Sequence, residues 1–211
     1  VNYPEFFAKF GAALRSKHCG KRGFALPSNG ALPRDFIRLD PWEAEYLWGV
    51  AKRSTVGILE IGRFNGGSTF LLAAATPTIP IMPVVSIDLA PRDDALLRRY
   101  FSENDIDNVE LIVGDSRQAR PEPTAVDLLF IDGDHSYEGC AADIAAWHDR
   151  VVPGGSIVFH DSYQGSYGVQ RAVTEFFANA HSTFEIVTSP VIPADHWTRP
   201  HGSIAHLRKL A

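Results

Sequence analysis

From Thr55 onward the apolar residues of the chain gather into short runs separated by longer mixed stretches. Thr55–Gly62 has buried-strand character and ends in an acid and a glycine, Glu60-Ile61-Gly62. Gly66–Ala75 follows with helical character. Pro83–Asp88 is a second strand, and Asp93–Phe101, marked by Leu96, Leu97, Tyr100 and Phe101, a second helix. Val109–Asp115 and Val126–Asp132 supply the third and fourth strands. A helix over Tyr137–Val151 leads to Pro153-Gly154-Gly155, after which Ser156–Asp161 is the fifth strand. Near-continuous apolar strands that mostly alternate with helices predict a parallel sheet covered on both faces. Beyond a helix over Val169–Ala180 the rhythm changes. Phe184–Thr188 and Ser203–Leu207 are strands joined by a Pro-containing segment without helical pattern, which predicts an antiparallel hairpin at one sheet edge.

The first 54 residues follow another pattern. Tyr3–Leu14 and Pro41–Lys52 read as helices, the second opened by an N-cap acid, a proline and a further acid, Asp40-Pro41-Trp42-Glu43. Gly20–Pro33, rich in Gly, Pro, Ser and Asn, reads as a loop. Residues 1–54 are therefore expected to pack on the body, residues 55–211, as a helical cover within the same domain. Trp42, Trp48 and Trp147 fall in helices and are expected in the core or at an interface.

Composition narrows the partners more than it changes this picture. The 211 residues suit one larger domain, and a 45% hydrophobic content suits a sizeable core. With 20 Lys+Arg against 25 Asp+Glu and no basic run, general electrostatic grasp of a nucleic-acid backbone is excluded as the leading role. Cys19 and Cys140 read as free thiols of a reducing compartment. No apolar run reaches the ~20 residues of a membrane helix, and the first residues lack a signal-peptide pattern. A cytoplasmic protein without a membrane partner is expected, with a homodimer through the N-terminal helices or exposed edges.

Three clusters carry candidate chemistry. In the first strand-to-helix turn, Glu60-Ile61-Gly62-Arg63-Phe64-Asn65-Gly66-Gly67-Ser68-Thr69, glycines permit positive-φ backbone and close ligand approach at a helix N-terminus. The dinucleotide G-x-G-x-x-G pattern is absent, because Phe64 occupies its middle glycine place. Asp88, ending the second strand, can accept both hydrogen bonds of a ribose diol. Asp115 after the third strand either contacts an adenine or holds a loop. The third cluster pairs Asp132-Gly133-Asp134-His135 with His160-Asp161 at the carboxyl ends of neighbouring strands, where open α/β sheets bind ligands. Gathering Asp132, Asp134 and Asp161 at one rim incurs like-charge repulsion that a divalent cation removes. Carboxylates favour Mg²⁺, and His160 extends the tolerance to Mn²⁺ or other transition metals.

In this order, Glu60-x-Gly62, Gly66-Gly67-Ser68, Asp88, Asp132-Gly133-Asp134-His135 and Pro153-Gly154-Gly155 with His160-Asp161 resemble the class I S-adenosylmethionine-dependent methyltransferases. More narrowly they resemble the small metal-dependent O-methyltransferases of macrocin and catechol type. The resemblance spans about Thr55 to Leu207. It implies a Rossmann-like seven-stranded sheet, mostly parallel, with an antiparallel terminal hairpin and helices on both faces. It implies that Glu60, Gly62 and Gly66, with Phe64, Asn65 and Ser68 of the same loop, hold the methionine part of S-adenosylmethionine. Asp88 would take the ribose, and Asp115, Ser116 and Asp132 would complete the cofactor site. Mg²⁺ or another divalent metal would sit on Asp132, His160 and Asp161; His160 departs from the acid usual in that family.

Methyl transfer to oxygen needs an aligned donor and acceptor and a base for the leaving proton. His135 takes that role first, three residues after Asp132 where catechol-type relatives carry a lysine, and Asp134 second. Tyr163, Tyr167, His196 and Trp197, with His201, are candidates for the acceptor pocket, since aromatic faces with polar tips suit a sugar or aryl ring. The acceptor expected is a sugar or oligosaccharide hydroxyl, because the chain is also similar to mycobacterial enzymes that O-methylate mannose in polymethylated mannose polysaccharides. A phenolic natural product is the close alternative acceptor. A cephalosporin-hydroxylase-like protein sharing the Asp-Gly-Asp-His and His-Asp pattern, and a non-catalytic adenosyl-cofactor-binding module, are the competing readings.

Overall fold

A computed structural model describes residues 2–14, 32–33, 36–76, 83–119, 124–162, 168–188 and 203–211. Cys19, Tyr163, Tyr167, His196, Trp197 and His201 lie outside them.

The parallel strands are β1 (Ile58–Ile61), β2 (Val84–Asp88), β3 (Val109–Val113), β4 (Val126–Ile131) and β5 (Val151–Phe159). The antiparallel pair is β6 (Phe184–Thr188) and β7 (Ala205–Lys209), giving one seven-stranded sheet in the order β3-β2-β1-β4-β5-β7-β6. Side chains alternate across it. Ile58, Val84, Leu128, Phe130 and Val158 face one core, while Leu59, Ile61, Val85, Leu129 and Ile157 face the other. The helices divide accordingly. α1 (Tyr3–Phe10), α2 (Pro41–Ala51), α3 (Gly67–Ala75) and α4 (Asp94–Glu103) cover the first face. α5 (Tyr137–Trp147) and α6 (Val169–Ala180) cover the second. The N-terminal helices share a core with the body: Phe6 packs its ring 4.7 Å from Trp48, and Phe10 packs 5.1 Å from Phe70.

The architecture matches the expected one, with local corrections. α1 ends at Phe10 and tightens into a 3-10 turn over 11–13. α5 stops at Trp147 instead of Val151, and β5 begins at Val151 instead of Ser156. Pro153-Gly154-Gly155 is thus part of the strand: Val126 pairs with Val151, the register slips, and Leu128 pairs with Ser156. Gly154, at φ +79°, allows that irregularity. β7 lies two residues later than expected. β3, at the sheet edge, is half-buried along most of its length instead of covered on both faces. Of the three tryptophans expected in the core or at an interface, Trp48 and Trp147 are in the core and Trp42 is outside it, 52% exposed. Among the described residues no helix is long and apolar enough to cross a membrane.

The chain runs outward from β1 to β2 and β3, then returns to place β4 on the other side of β1. That reversal leaves a crevice beyond the carboxyl ends of β1 and β4, the place where open α/β sheets bind ligands.

Candidate active site

A cavity of about 670 Å³ occupies this crevice, within the usual range for small-molecule sites. One half is built by the turn after β1. Gly62 and Gly66 have φ of +86° and +83°. A Cβ on Gly62 would collide with the Asp132 carbonyl oxygen, so the loop can approach β4 only without a side chain there. Asp88 folds the loop over itself, its Oδ2 accepting from the backbone N–H of Arg63 and Phe64, both at 2.8 Å, and its Oδ1 from Ala90 at 2.7 Å. The buried Arg63 guanidinium is pinned by Asp94 and by the carbonyls of Ser86 and Ile112.

Glu60 lies beneath this loop and is fully buried; it is not part of the cavity wall. Its carboxylate accepts from the hydroxyls of Ser68, at 2.5 Å, Thr69 and Ser86, at 2.5 Å. Burial, helped by the Asp132 charge, pushes its pKa up to about 7 against those hydrogen bonds. It organises the floor of the site. Phe64, Asn65 and Ser68 line the cavity, and Asn65 Nδ2 is a buried donor without a partner among the described residues. An orphaned buried donor on a ligand cavity calls for an acceptor from the ligand.

At the other end of this half, Asp115 and Ser116 line the wall. Asp115 is engaged by Arg117 at 2.6 and 2.7 Å, hydrogen bonds that lower its pKa to about 2, so it holds its own loop. Ser116 donates to Asp143 at 2.5 Å, and burial raises the Asp143 pKa. Asp143 also lines the cavity. Its sequence signal was an acid on the apolar stripe of α5 between Cys140 and Trp147.

The second half is the rim beyond β4 and β5. His135 Nε2 stands 3.4 Å from Asp132 Oδ1 and 3.5 Å from Asp161 Oδ2. His160 Nδ1 stands 3.1 Å from Asp132 Oδ1 and 3.7 Å from Asp161 Oδ2. Burial disfavours charge on Asp132, but His160 and His135 outweigh it and lower its pKa to about 2. The hydrogen bond to Asp132 in turn raises the His135 pKa, against burial. Burial likewise opposes charge on His160, and Asp132 and Glu43 override it to raise its pKa well above the ordinary value. Asp161 holds φ +52°, a strained conformation for a residue with a side chain. Asp134 also lines the cavity, while its Oδ1 accepts from Ser136 N at the start of α5 at 2.9 Å, a bond that lowers its pKa.

One ligand atom each from Asp132, His135 and Asp161 lie within 4.8 Å of one another. Two donors on one ion are separated by at most twice a bond of ~2.1–2.4 Å, so this spread and this oxygen-and-nitrogen set fit a divalent cation. His135 thus stands in this group where His160 was expected; His160 Nδ1, 3.1 Å from Asp132 and 3.7 Å from Asp161, is the alternative nitrogen donor to the same two carboxylates.

Two contributions to the site had no separate signal in the sequence. Phe36 and Leu39 of the N-terminal cover form part of the cavity wall, and the Phe36 carbonyl and Ile37 abut Gly67 where α3 begins. Glu43, which the sequence marks only as a helix-start acid, is buried in α2 and reaches His160 Nε2 at 3.1 Å.

Residues 59–162 match the family described as a methyltransferase domain. A protein of Acanthamoeba polyphaga mimivirus is 29% identical over 147 residues, 64% of this chain and 65% of that one, so the match spans under two thirds of the viral protein. Among solved structures, the O-methyltransferase TomG from Streptomyces achromogenes, in complex with S-adenosylmethionine, is similar at TM-score 0.57 and 19% identity, covering 85% of this chain and 84% of that one. The O-methyltransferase from Bacillus cereus is similar at TM-score 0.60 and 18% identity over 83% of each chain. The TDP-rhamnose 3'-O-methyltransferase of calicheamicin biosynthesis is similar at TM-score 0.59 and 20% identity, covering 78% of this chain and 76% of that one. The fold is that of the methyltransferases, and the matched segment holds both halves of the cavity from β1 to the rim of β5.

Proposed function

We propose that the protein is an S-adenosylmethionine-dependent O-methyltransferase that uses a divalent cation and acts on a hydroxyl of a sugar or oligosaccharide. One observation carries this reading: a single cavity joins the loop of Gly62, Asn65 and Asp88 to the carboxylate–imidazole rim of Asp132, His135, His160 and Asp161. On the first side, Asn65 Nδ2 and the first turn of α3 suit the carboxylate of the cofactor. Asp88 suits its ribose, and Ser116 with Asp143 its adenine end. Glu60 fixes this loop from below.

When bound, S-adenosylmethionine supplies an electrophilic methyl group, and the cation supplies positive charge beside the acceptor oxygen. Asp132 and Asp161 would hold the cation with His160 as the nitrogen donor, its Nδ1 lying 3.1 and 3.7 Å from them. That leaves the more exposed His135 of the same converging group for the proton; His160 is 4% exposed and contacted on both ring nitrogens. His135 is 34% exposed on the cavity wall, and it accepts the proton that the acceptor hydroxyl releases. A sugar hydroxyl is far less acidic than a phenol of pKa ~10, so it gains more from this rim than a phenol would. Mannose-containing oligosaccharides are the acceptors to try first, beside a panel of phenols.

Calorimetry is expected to detect S-adenosylmethionine binding, and exhaustive chelation to abolish turnover. Absence of binding would remove the cofactor reading, and full turnover after chelation the cation. His135→Ala is expected to lower turnover by about 10²–10⁴-fold while leaving cofactor affinity nearly unchanged; the reverse pattern would remove it as the base. Turnover of phenols alone would overturn the sugar acceptor.

A further inference from the structure

Glu43 enters the rim from α2 of the N-terminal cover, far away in sequence, and its buried carboxylate makes four hydrogen bonds. Oε1 accepts from Ser203 N at 2.7 Å and from Ser203 Oγ at 2.6 Å. Oε2 accepts from Asp40 N at 2.9 Å and meets His160 Nε2 at 3.1 Å. The bond to Asp40 is the local one that closes the start of α2. Of the other three, one goes to His160, just beyond β5, and two go to Ser203. His160 is reached directly. Asp161 is reached through Ser203, whose Oγ accepts from Asp161 N at 3.2 Å while donating to Glu43. The Ser203 carbonyl also accepts from Ser162 N at 3.0 Å and Ser162 Oγ at 2.5 Å, so the backbone just beyond Asp161 is fastened to the same point.

A carboxylate can only accept, so both ring nitrogens of His160 carry protons while Nε2 faces Glu43 and Nδ1 faces Asp132. A cation on Asp132 and Asp161 would displace the Nδ1 proton and leave the Nε2 proton hydrogen-bonded to Glu43. The other nitrogen, Nδ1, is then the one turned toward Asp132 and Asp161. An imidazole that ligates a metal is commonly held in this way, with a carboxylate on its second nitrogen fixing tautomer and ring orientation. Ser203 meanwhile supports Asp161 in its positive-φ conformation.

We propose that Glu43 is the positioning residue of the cation site: it sets His160 with Nδ1 toward Asp132 and Asp161, and braces Asp161 through Ser203. This rests on the cation reading above. The cover is then part of the site's machinery as well as part of its wall.

The test uses the full chain and Mn²⁺ alone, with affinity read by electron paramagnetic resonance. Glu43→Met keeps the length of the side chain and removes the acceptor; it is expected to weaken Mn²⁺ binding by about 10–100-fold. In a His160→Ala background, Glu43→Met is expected to produce a clearly smaller loss, because only the brace through Ser203 remains. Equal losses in the two backgrounds would overturn the proposal, since a purely structural effect adds regardless of His160. Ser203→Ala leaves the Glu43–His160 bond in place and is expected to cost less than Glu43→Met; an equal or larger cost would also overturn it. If Glu43→Met does not fold, Glu43→Gln, which keeps one carbonyl acceptor but loses the charge, serves in the same cycle and must show a smaller loss with non-additivity of the same sign. A second readout needs no affinity: ¹⁵N-histidine spectra of Mg²⁺-saturated wild type are expected to show the His160 proton on Nε2. A proton on Nδ1 instead would overturn the assignment. Wild-type protein that binds no Mn²⁺ would overturn the cation reading itself, whereas binding unaffected by Glu43→Met would overturn this inference alone.

Discussion

Glu60 and His206 are both buried ionisable groups, and each is perturbed by burial first. Glu60 is raised to about 7 from 4.5, and His206, whose Nδ1 meets Tyr46 at 2.8 Å, is lowered to about 4 from 6.5. Each prefers its neutral form in the fold, but the consequences for stability have opposite signs. Between pH 4.5 and 7 the unfolded chain ionises Glu60 while the folded one holds its proton, so its contribution falls as pH rises. Between pH 6.5 and 4 the unfolded chain protonates His206 while the folded one resists, so its contribution falls as pH drops. Each is worth at most about 3 kcal/mol by linkage. Urea unfolding across pH 4–7.5 is expected to show Glu60→Gln gaining on wild type as pH rises, and His206→Leu gaining as pH falls. A pH-independent difference in either pair would refute the corresponding assignment. At this scale the sequence exposed part of the site. Asp88, Asp132, His160 and Asp161 stand at strand ends, where a run of apolar residues stops on a polar one, and Glu60 interrupts the apolar run of β1 one residue before its end. Glu43 gave no such signal, because a helix-start acid is fully explained by its local bond to Asp40; its reach to His160 exists only after β5 and α2 are packed together.

Elements were legible where local pattern and tertiary role agree. β1, β2 and β4 are mostly apolar, each interrupted by one polar residue (Glu60, Ser86 and Asp127), because both faces are covered, and the opening of α2 is written in Asp40-Pro41. β5 was misread at its start because Pro153-Gly154-Gly155 has the chemistry of a turn, while the pairing of Val151 with Val126 is set by a distant strand. The two functions of glycine in these elements are separable by mutation. Gly62 and Gly154 have similar backbones, φ +86° and +79°, so an alanine is strained at both. Around Gly154 nothing lies within 4 Å of a new Cβ, whereas at Gly62 the Asp132 carbonyl blocks it. Gly154→Ala is therefore expected to cost about 1 kcal/mol in denaturant unfolding, the conformational penalty alone. Gly62→Ala is expected to cost several times more, by forcing the β1 loop away from β4. Comparable losses at the two positions would show that crowding at Asp132 does not shape the loop.

Over the whole molecule, the cavity is a meeting of three chain regions: the β1–β2 half, the β4–β5 rim, and the N-terminal cover. The acids of a chain with net charge −5 are partly gathered here, and the rim is held by charge contacts among Asp132, His135, His160, Asp161 and Glu43. Ligands that bind only the folded state stabilise it by mass action, about 2.7 kcal/mol at a hundredfold excess over the dissociation constant. For a domain of this size that corresponds to a rise in Tm of roughly 5–10 °C. Protection should also be distributed unevenly, since each ligand stiffens the elements it ties together. S-adenosylmethionine is expected to slow amide exchange in the turn after β1 and the first turns of α3. Mg²⁺ is expected to slow it at the ends of β4 and β5 and, through the Glu43 carboxylate, in α2. The test is hydrogen exchange with each ligand alone, followed by mass spectrometry. A response in α2 to Mg²⁺ that disappears in Glu43→Met would tie the cover to the rim through that side chain. A rim that responds while α2 stays indifferent would separate the cover from the cation site and leave its contribution to the cavity wall as its only part in binding.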